Sequence, residues 1–415
     1  MNNKSAIIAV NCGENLSSMF LKSDICSSQS LATCYLLLTE MKYFLIAGEA
    51  SGDLHASNLM AALKRCDADA QFCFLGGDLM AAQGGTMVRH YRDMAFMGVV
   101  NVLLNLRKVL HNLSDCKAAI RQFQPDVVIL VDYPSFNLRI AKYVKHHTTT
   151  PVYYYISPKI WAWKTFRIHS IKRYIDRMYT IFPFETLFYA QFQYPVEYVG
   201  NPTVDAIAHF VEHHPVAPDF REKNGLDERP IVAVLAGSRK QEITATLPRV
   251  LPLAARYPDF QFVLAAAPSA DMALYQPYLS ENVRVVRNAT YALLQQSYAA
   301  VVNSGTATLE TAIFRVPQVV VYHVFGGRFA SFLKKILIKT KYISLVNLVA
   351  DKAVVRELVA HEFSLANVAP ELERLLHDAD YRRQMQADYD RIAQTLGFAG
   401  AAQRAAEKIV ESLKS

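Results

Sequence analysis

The chain has 415 residues, with 44 Lys and Arg against 37 Asp and Glu for a formal charge of +7, and 52% of its residues are hydrophobic. That apolar content excludes a disordered chain, and six cysteines in such a length exclude a disulfide-built mini-domain. No Lys/Arg-rich block of a phosphate-tracking kind occurs, which argues against nucleic acid, and no apolar run reaches the roughly 18 residues of a membrane-crossing helix.

Residues 1–40 are Ser-rich and hold Cys12, Cys26 and Cys34. Residues 31–38 could form the apolar part of a signal peptide, but no basic segment precedes them. Cleavage near Ala50 would also remove the apolar run 43–47, the first expected strand. Met41 is therefore expected to be the start, or residues 1–40 a dispensable extension. Cys66, Cys73 and Cys116 complete the set without a CxxC pair, as reduced thiols of an intracellular protein would.

From Met41 onward, short apolar runs alternate with helical periodicity. Strands are expected at 43–47, 72–75, 127–131, 152–156 and 179–182. A His-, Pro- and charge-rich linker is expected from Asn201 to Pro230, and strands again at 231–235, 260–265, 283–286, 300–303 and 319–322. The alternation predicts an α/β chain of two doubly wound parallel-sheet domains facing across a cleft, with residues 352–415 helical and free of strands.

Open parallel sheets bind ligands beyond the C-terminal ends of their strands, so the polar residues there carry the chemistry. After the first strand comes Gly48-Glu49-Ala50-Ser51-Gly52-Asp53, a tight turn at a helix N-terminus. Its plain alternative is a cap made by Ser51 or Asp53. Asp132 ends the apolar run 127–131, where a carboxylate is costly unless a cleft, partner or substrate serves it, and where a general base could face a hydroxyl. Both tryptophans, Trp161 and Trp163, stand among Lys159, Lys164 and Arg167, a surface suited to a sugar ring or a phosphate, or simply a core edge. Gly237-Ser238-Arg239 opens the second half as a phosphate seat without Walker spacing. Asn303-Ser304-Gly305-Thr306 with Glu310 places a helix N-terminus for a diphosphate and an acid for ribose hydroxyls. His146-His147 and His213-His214 read as loop histidines, and no metal-ligand spacing appears, so no metal or cofactor is expected.

AGEASGD at 47–53, DYPSFN at 132–137, YISPKIWAWK at 155–164, GNP at 200–202, LAGSR at 235–239, SGTATLE at 304–310 and KYISLVNLVA at 341–350 stand in series. With them the chain resembles the lipid-A-disaccharide synthases, UDP-sugar glycosyltransferases of the GT-B type with two Rossmann-like domains. The resemblance covers Met41 to the C-terminus. It implies inverting transfer of 2,3-diacylglucosamine from UDP-2,3-diacylglucosamine to 2,3-diacylglucosamine 1-phosphate, forming the β-1,6-linked disaccharide and UDP at the cytoplasmic face of the inner membrane.

Carried over by motif, Asp132 would be the general base. Gly237, Ser238 and Arg239 would hold the diphosphate, and Asn303, Ser304, Gly305, Thr306 and Glu310 the rest of UDP. Glu49, Ser51, Gly52, Asp53, Trp161 and Asn201 would line the acceptor side. Ser135 departs from relatives that carry a second acid there. An acyl substrate also gives a reason for the segment 96–110, apolar on more than one helical face and ending in basic residues. Phe96, Met97, Val99, Val100, Val102, Leu103, Leu104, Leu106, Arg107 and Lys108 would meet acyl chains or an anionic membrane surface, the alternative being a buried helix. Residues 332–339 are a second such segment. The expected domains are 41–205 for acceptor and membrane, 206–350 for UDP-sugar, and helices 351–415 that cross back onto the first domain; the resemblance leaves room for a homodimer. A hydrolysing sugar-nucleotide epimerase or a non-catalytic UDP-sugar or lipid binder on the same scaffold are the alternatives.

Overall fold

The computed structural model describes residues 40–94, 106–214, 219–267, 270–323 and 341–415. Within the unit Met41–Ser415 the described strands form two parallel sheets. The first comprises β1 (Lys42–Ala47), β2 (Gln71–Gly76), β3 (Thr86–His90), β4 (Val127–Val131), β5 (Val152–Tyr155), β6 (Arg177–Thr180) and β7 (Glu197–Tyr198), in the order β3-β2-β1-β4-β5-β6-β7. The second comprises β8 (Ile231–Leu235), β9 (Gln261–Ala266), β10 (Val283–Arg287), β11 (Ser297–Asn303), β12 (Gln318–Tyr322) and β13 (Glu357–Val359), in the order β10-β9-β8-β11-β12-β13. Both sheets are covered on two faces, which is why β4 is apolar and buried throughout. In β1, Tyr43, Leu45 and Ala47 enter one core layer while Phe44 and Ile46 enter the other, the period of two that a strand imposes.

Sequence periodicity did not reveal β3, β7 and β13. Each lies at a sheet edge and is short or partly exposed, so it carries too few apolar residues to stand out. β13 corrects the expectation of a strand-free C-terminal stretch. β6 begins at Arg177, ahead of the expected 179, and Phe182 instead caps the helix Pro183–Ala190, whose Pro183 takes the first helical position where no N–H is needed. The expected linker is largely helical, because Asn201 caps and Pro202 starts a helix. His146 and His147 lie in the last turn of a helix, and His213 and His214 close another. There a ring favours the carbonyl end of the dipole, so these are not loop histidines.

Eight of the described helices position the site or its supports: α1 (Ala50–Cys66), α2 (Pro134–His147), α3 (Pro183–Ala190), α4 (Pro202–His213), α5 (Lys240–Val250), α6 (Thr306–Ile313), α7 (Leu345–Ala350) and α8 (Ala401–Lys414). The helices Leu365–His377 and Ala379–Leu396 cover the second sheet, but α8 lies on the first. Its Ala405, Ala406, Ile409 and Val410 are buried in one layer with Leu59, Met60 and Leu63 of α1. Asp205 of α4 accepts from the N–H groups of Gly400 (2.8 Å) and Ala401 (2.9 Å), capping α8 from outside. Arg404 donates to the carbonyls of Val199, Phe398 and Ala399 at 2.8, 2.9 and 2.9 Å. A Cβ on Gly200, whose φ is +98°, would stand 2.1 Å from the Arg404 guanidinium, so glycine is required at this crossing.

Candidate active site

In each sheet the strand order reverses once, between β1 and β4 and between β8 and β11. Such reversals open a crevice at the strand ends, and the polar loops picked out by the sequence follow these four strands. Glu49 follows β1 and Asp132 follows β4; Gly237 to Arg239 follow β8, and Ser304 to Glu310 follow β11.

Asp132 and Tyr133 both adopt left-handed backbone, at φ of 43° and 46°, a costly pairing for residues with side chains. Neighbouring groups hold it in place. The Asn137 amide of α2 donates to the Asp132 carbonyl at 2.7 Å, and the buried Tyr154 hydroxyl donates to the same oxygen. The Tyr133 ring covers Gly48, where any Cβ would come within 2.3 Å of it, and its hydroxyl donates to the Met94 carbonyl at 2.9 Å. Burial raises the proton affinity of the Asp132 carboxyl above the ordinary aspartate value, opposed by the Lys159 ammonium and by the Tyr133 backbone. Glu49 is raised too, first by burial and then by the Asp132 charge, with Arg239 and Lys159 acting the other way. A carboxylate of the first half thus lies within the field of a guanidinium of the second, so the two crevices confront one another.

In the second half, Gly237 has a φ of +101° and a Cβ there would meet the Glu242 carboxylate at 2.4 Å. Glu242, in the first turn of α5, accepts from the N–H groups of Ser238 and Arg239 at 3.1 and 3.2 Å. Those amides are engaged, and the exposed Arg239 guanidinium is itself paired with Glu242 at 3.4 Å. Asn303 is buried at the end of β11, and Ser304, Gly305 and Thr306 lead into α6. Burial raises Glu310, opposed by a 3.1 Å hydrogen bond from the Tyr291 hydroxyl.

Three expected cleft residues are placed otherwise. Asp53 is 3% exposed and accepts from the N–H groups of Gly77, Leu79 and Met80 at 2.7 to 3.1 Å, pinning a neighbouring helix start. Asn201 accepts from Thr203 N–H and donates to the Ile181 carbonyl, both at 2.9 Å. Trp161 is buried in the core layer of the second sheet, with its indole N–H on Glu185. Their polar groups are occupied by the fold. Gly52 lets α1 approach β1, its absent Cβ being only 3.3 Å from that of Ala47, while Ser51 is exposed. Phe96, Met97, Val99, Val100, Val102, Leu103 and Leu104 and the segment 332–339 lie outside the described residues. Leu106 begins the helix Leu106–Phe123, on which Arg107 and Lys108 are exposed. Among the described residues no group of three or more His, Cys, Asp or Glu could hold a metal, and no helix is long and apolar enough to cross a membrane.

Sequence reasoning missed Asn137, Tyr154, Glu242 and Glu185. Glu242 had a signal, its place at the third position of α5 where an acid caps loop amides. Glu185 had the same signal, at the third position of α3, while Tyr154 sits in apolar surroundings with none.

The family model for lipid-A-disaccharide synthetase matches residues 43–411. The lipid-A-disaccharide synthase of Myxococcus xanthus is 38% identical over 380 residues, 90% of this chain and 97% of the relative. That of Geobacter metallireducens is 36% identical with the same coverage. The chain belongs to the lipid-A-disaccharide synthetase family. It is accordingly a glycosyltransferase of lipid A biosynthesis, as the sequence motifs imply, and the Coxiella burnetii synthase, 34% identical over 91% of this chain and 99% of its own, extends the match. Solved structures show how widely the synthetase fold is shared. A Neisseria meningitidis UDP-GlcNAc 2-epimerase bound to UDP-GlcNAc gives a TM-score of 0.63 at 14% identity, covering 90% of this chain and 99% of that one. A calicheamicin glycosyltransferase gives 0.55 at 16%, covering 90% and 98%. Identities this low speak for the fold alone, the two Rossmann-like domains of the GT-B type.

Proposed function

We propose that the chain transfers 2,3-diacylglucosamine from UDP-2,3-diacylglucosamine to the 6-hydroxyl of 2,3-diacylglucosamine 1-phosphate, with Asp132 as general base. The observation that carries this reading is the strained, half-buried Asp132 at the first crevice, with Glu49 beside it in the field of Arg239 from the second. The Asp132 carboxylate takes the proton of the acceptor hydroxyl as its oxygen attacks the anomeric carbon from the face opposite UDP. The bond to the diphosphate breaks, its electron pair leaves with UDP, and the sugar inverts. Arg239 and the N-terminus of α6 receive the departing charge, while Glu310 holds ribose hydroxyls. Arg107 and Lys108, exposed at a helix start next to an apolar segment, support contact with an anionic membrane surface.

Both sugar substrates, supplied together, are expected to give UDP and a disaccharide. Asp132→Asn should lower transfer by at least about a hundredfold, the usual worth of a general base, with UDP affinity unchanged by calorimetry. UDP release without disaccharide would sink the transferase reading, and near-normal transfer by the variant would remove Asp132 as base.

A further inference from the structure

A buried carboxylate stands where the two halves of the molecule meet. Glu185, in the first turn of α3, is 1% exposed and spends its oxygens on four donors. One oxygen accepts from the Ser157 hydroxyl and, at 3.2 Å, from the Trp161 indole N–H; the other accepts from the N–H groups of Ile181 and Phe182 at 3.2 and 3.0 Å. Ser157 and Trp161 flank Lys159, the exposed cation that favours the ionised forms of both Asp132 and Glu49. The Trp161 ring meets Phe184 edge-on at 5.1 Å, Phe184 stacks on Phe182 at 5.4 Å, and Trp161 and Phe182 belong to the core layer of the second sheet. A buried carboxylate is expensive, and packing alone would be served as well by an apolar side chain. What the charge supplies is direction, since four donors converging on two oxygens fix the loop 157–161 against α3.

We propose that Glu185 is a positioning residue for the transfer reaction, clamping Ser157 and Trp161 so that Lys159 is held in the field of Asp132 while the same loop is seated on the second half. Burial pushes the Glu185 carboxyl up to about 7 against the pull of its donors. The titratable groups facing it are the phenols of Tyr189 on α3 and Tyr198 on β7, with Tyr179 on the adjoining β6, all raised by burial and neutral at that pH; α7, packed on α3, contributes none. Around neutrality the clamp therefore passes from a neutral acid to a carboxylate that draws all four donors.

The proposal rests on the reading of Asp132 as base, so its test has one arm that does not depend on it. The chain has two tryptophans, and Trp163→Phe leaves Trp161 as sole reporter. In that background Trp161 fluorescence should titrate with a midpoint near 7, and Glu185→Gln should abolish the transition. In the second arm, Glu185→Gln should lower kcat by about tenfold to a hundredfold, as a displaced active-site group does, and move the acidic limb of the kcat profile to higher pH. Lys159→Met should move the limb the same way, and the double variant no further, since both act through one interaction. Ser157→Ala removes one donor and keeps the carboxylate; it should give a smaller shift of the same sign even if Glu185→Gln fails to fold. An unshifted limb in Ser157→Ala, additive shifts in the double variant, or a flat fluorescence titration of the parent would each overturn the proposal. Failure of the Asp132 reading shows separately, as transfer by Asp132→Asn with no Glu185 variant involved.

Discussion

At the scale of single residues, the acid proposed as general base is one the fold holds at a cost. Asp132 combines left-handed backbone with burial that raises its proton affinity. The native state therefore keeps its proton to higher pH than the unfolded chain does. Stability contributed by the protonated acid is present below the ordinary aspartate range and is lost as pH rises through the raised native value. Asn carries no charge and tolerates left-handed backbone better than most residues. Asp132→Asn is thus expected to raise the melting temperature, more at pH 8 than at pH 4, while destroying activity; a lower melting temperature at pH 8 would mean the carboxylate is stabilised in place. The position of Asp132 after β4 was legible because a lone acid ends an apolar strand. Asp53 and Asn201 were misread for a related reason: a polar residue in a motif bonds backbone amides as readily as it bonds a ligand, and the sequence does not distinguish the two.

At the scale of elements, the apolar runs revealed the central strands, because a parallel strand covered on both faces must be apolar throughout. Edge strands such as β7 and β13 owe their form to the neighbour they pair with and left no periodicity to read. The GNP motif has its clearest account at this scale. Gly200 makes room for Arg404, and Asn201 caps α4, which carries Asp205 to the start of α8. Arg404→Ala removes three charge-assisted bonds to carbonyls and leaves those carbonyls short of donors. It should cost about 2 to 4 kcal/mol, taking such bonds at about 1.5 to 3 kcal/mol each with partial rescue by water. Urea unfolding would measure this, and a change below about 0.5 kcal/mol would show the crossing to be incidental.

At the scale of the whole molecule, two sheets and their facing crevices followed from the repeated strand-turn-helix rhythm, but the seating of one half on the other did not. Phe182 and Phe184 read as ordinary aromatic content, and Trp161 as a ligand surface or a core edge, until the fold brings them together. Phe184→Ala should loosen that seat. Because the groups assigned to UDP lie on the second half alone, UDP affinity should stay within about twofold while kcat falls about tenfold, as expected when reacting groups lose alignment. Steady-state kinetics with calorimetry would decide, and an equal loss of both would point to damage within the second half.

The position of α8 bears on how the chain comes to fold during synthesis. The layer formed by α1, β1 and β4 contains Ala405, Ala406, Ile409 and Val410, residues made more than 270 positions after Val131 at the end of β4. Until they emerge from the ribosome, the first sheet can pair its strands yet leaves Leu59, Met60 and Leu63 without their cover. Vectorial synthesis then does not deliver a finished first domain ahead of the second. The nascent chain carries an open apolar face through most of its elongation, a state in which chaperones and aggregation compete for it.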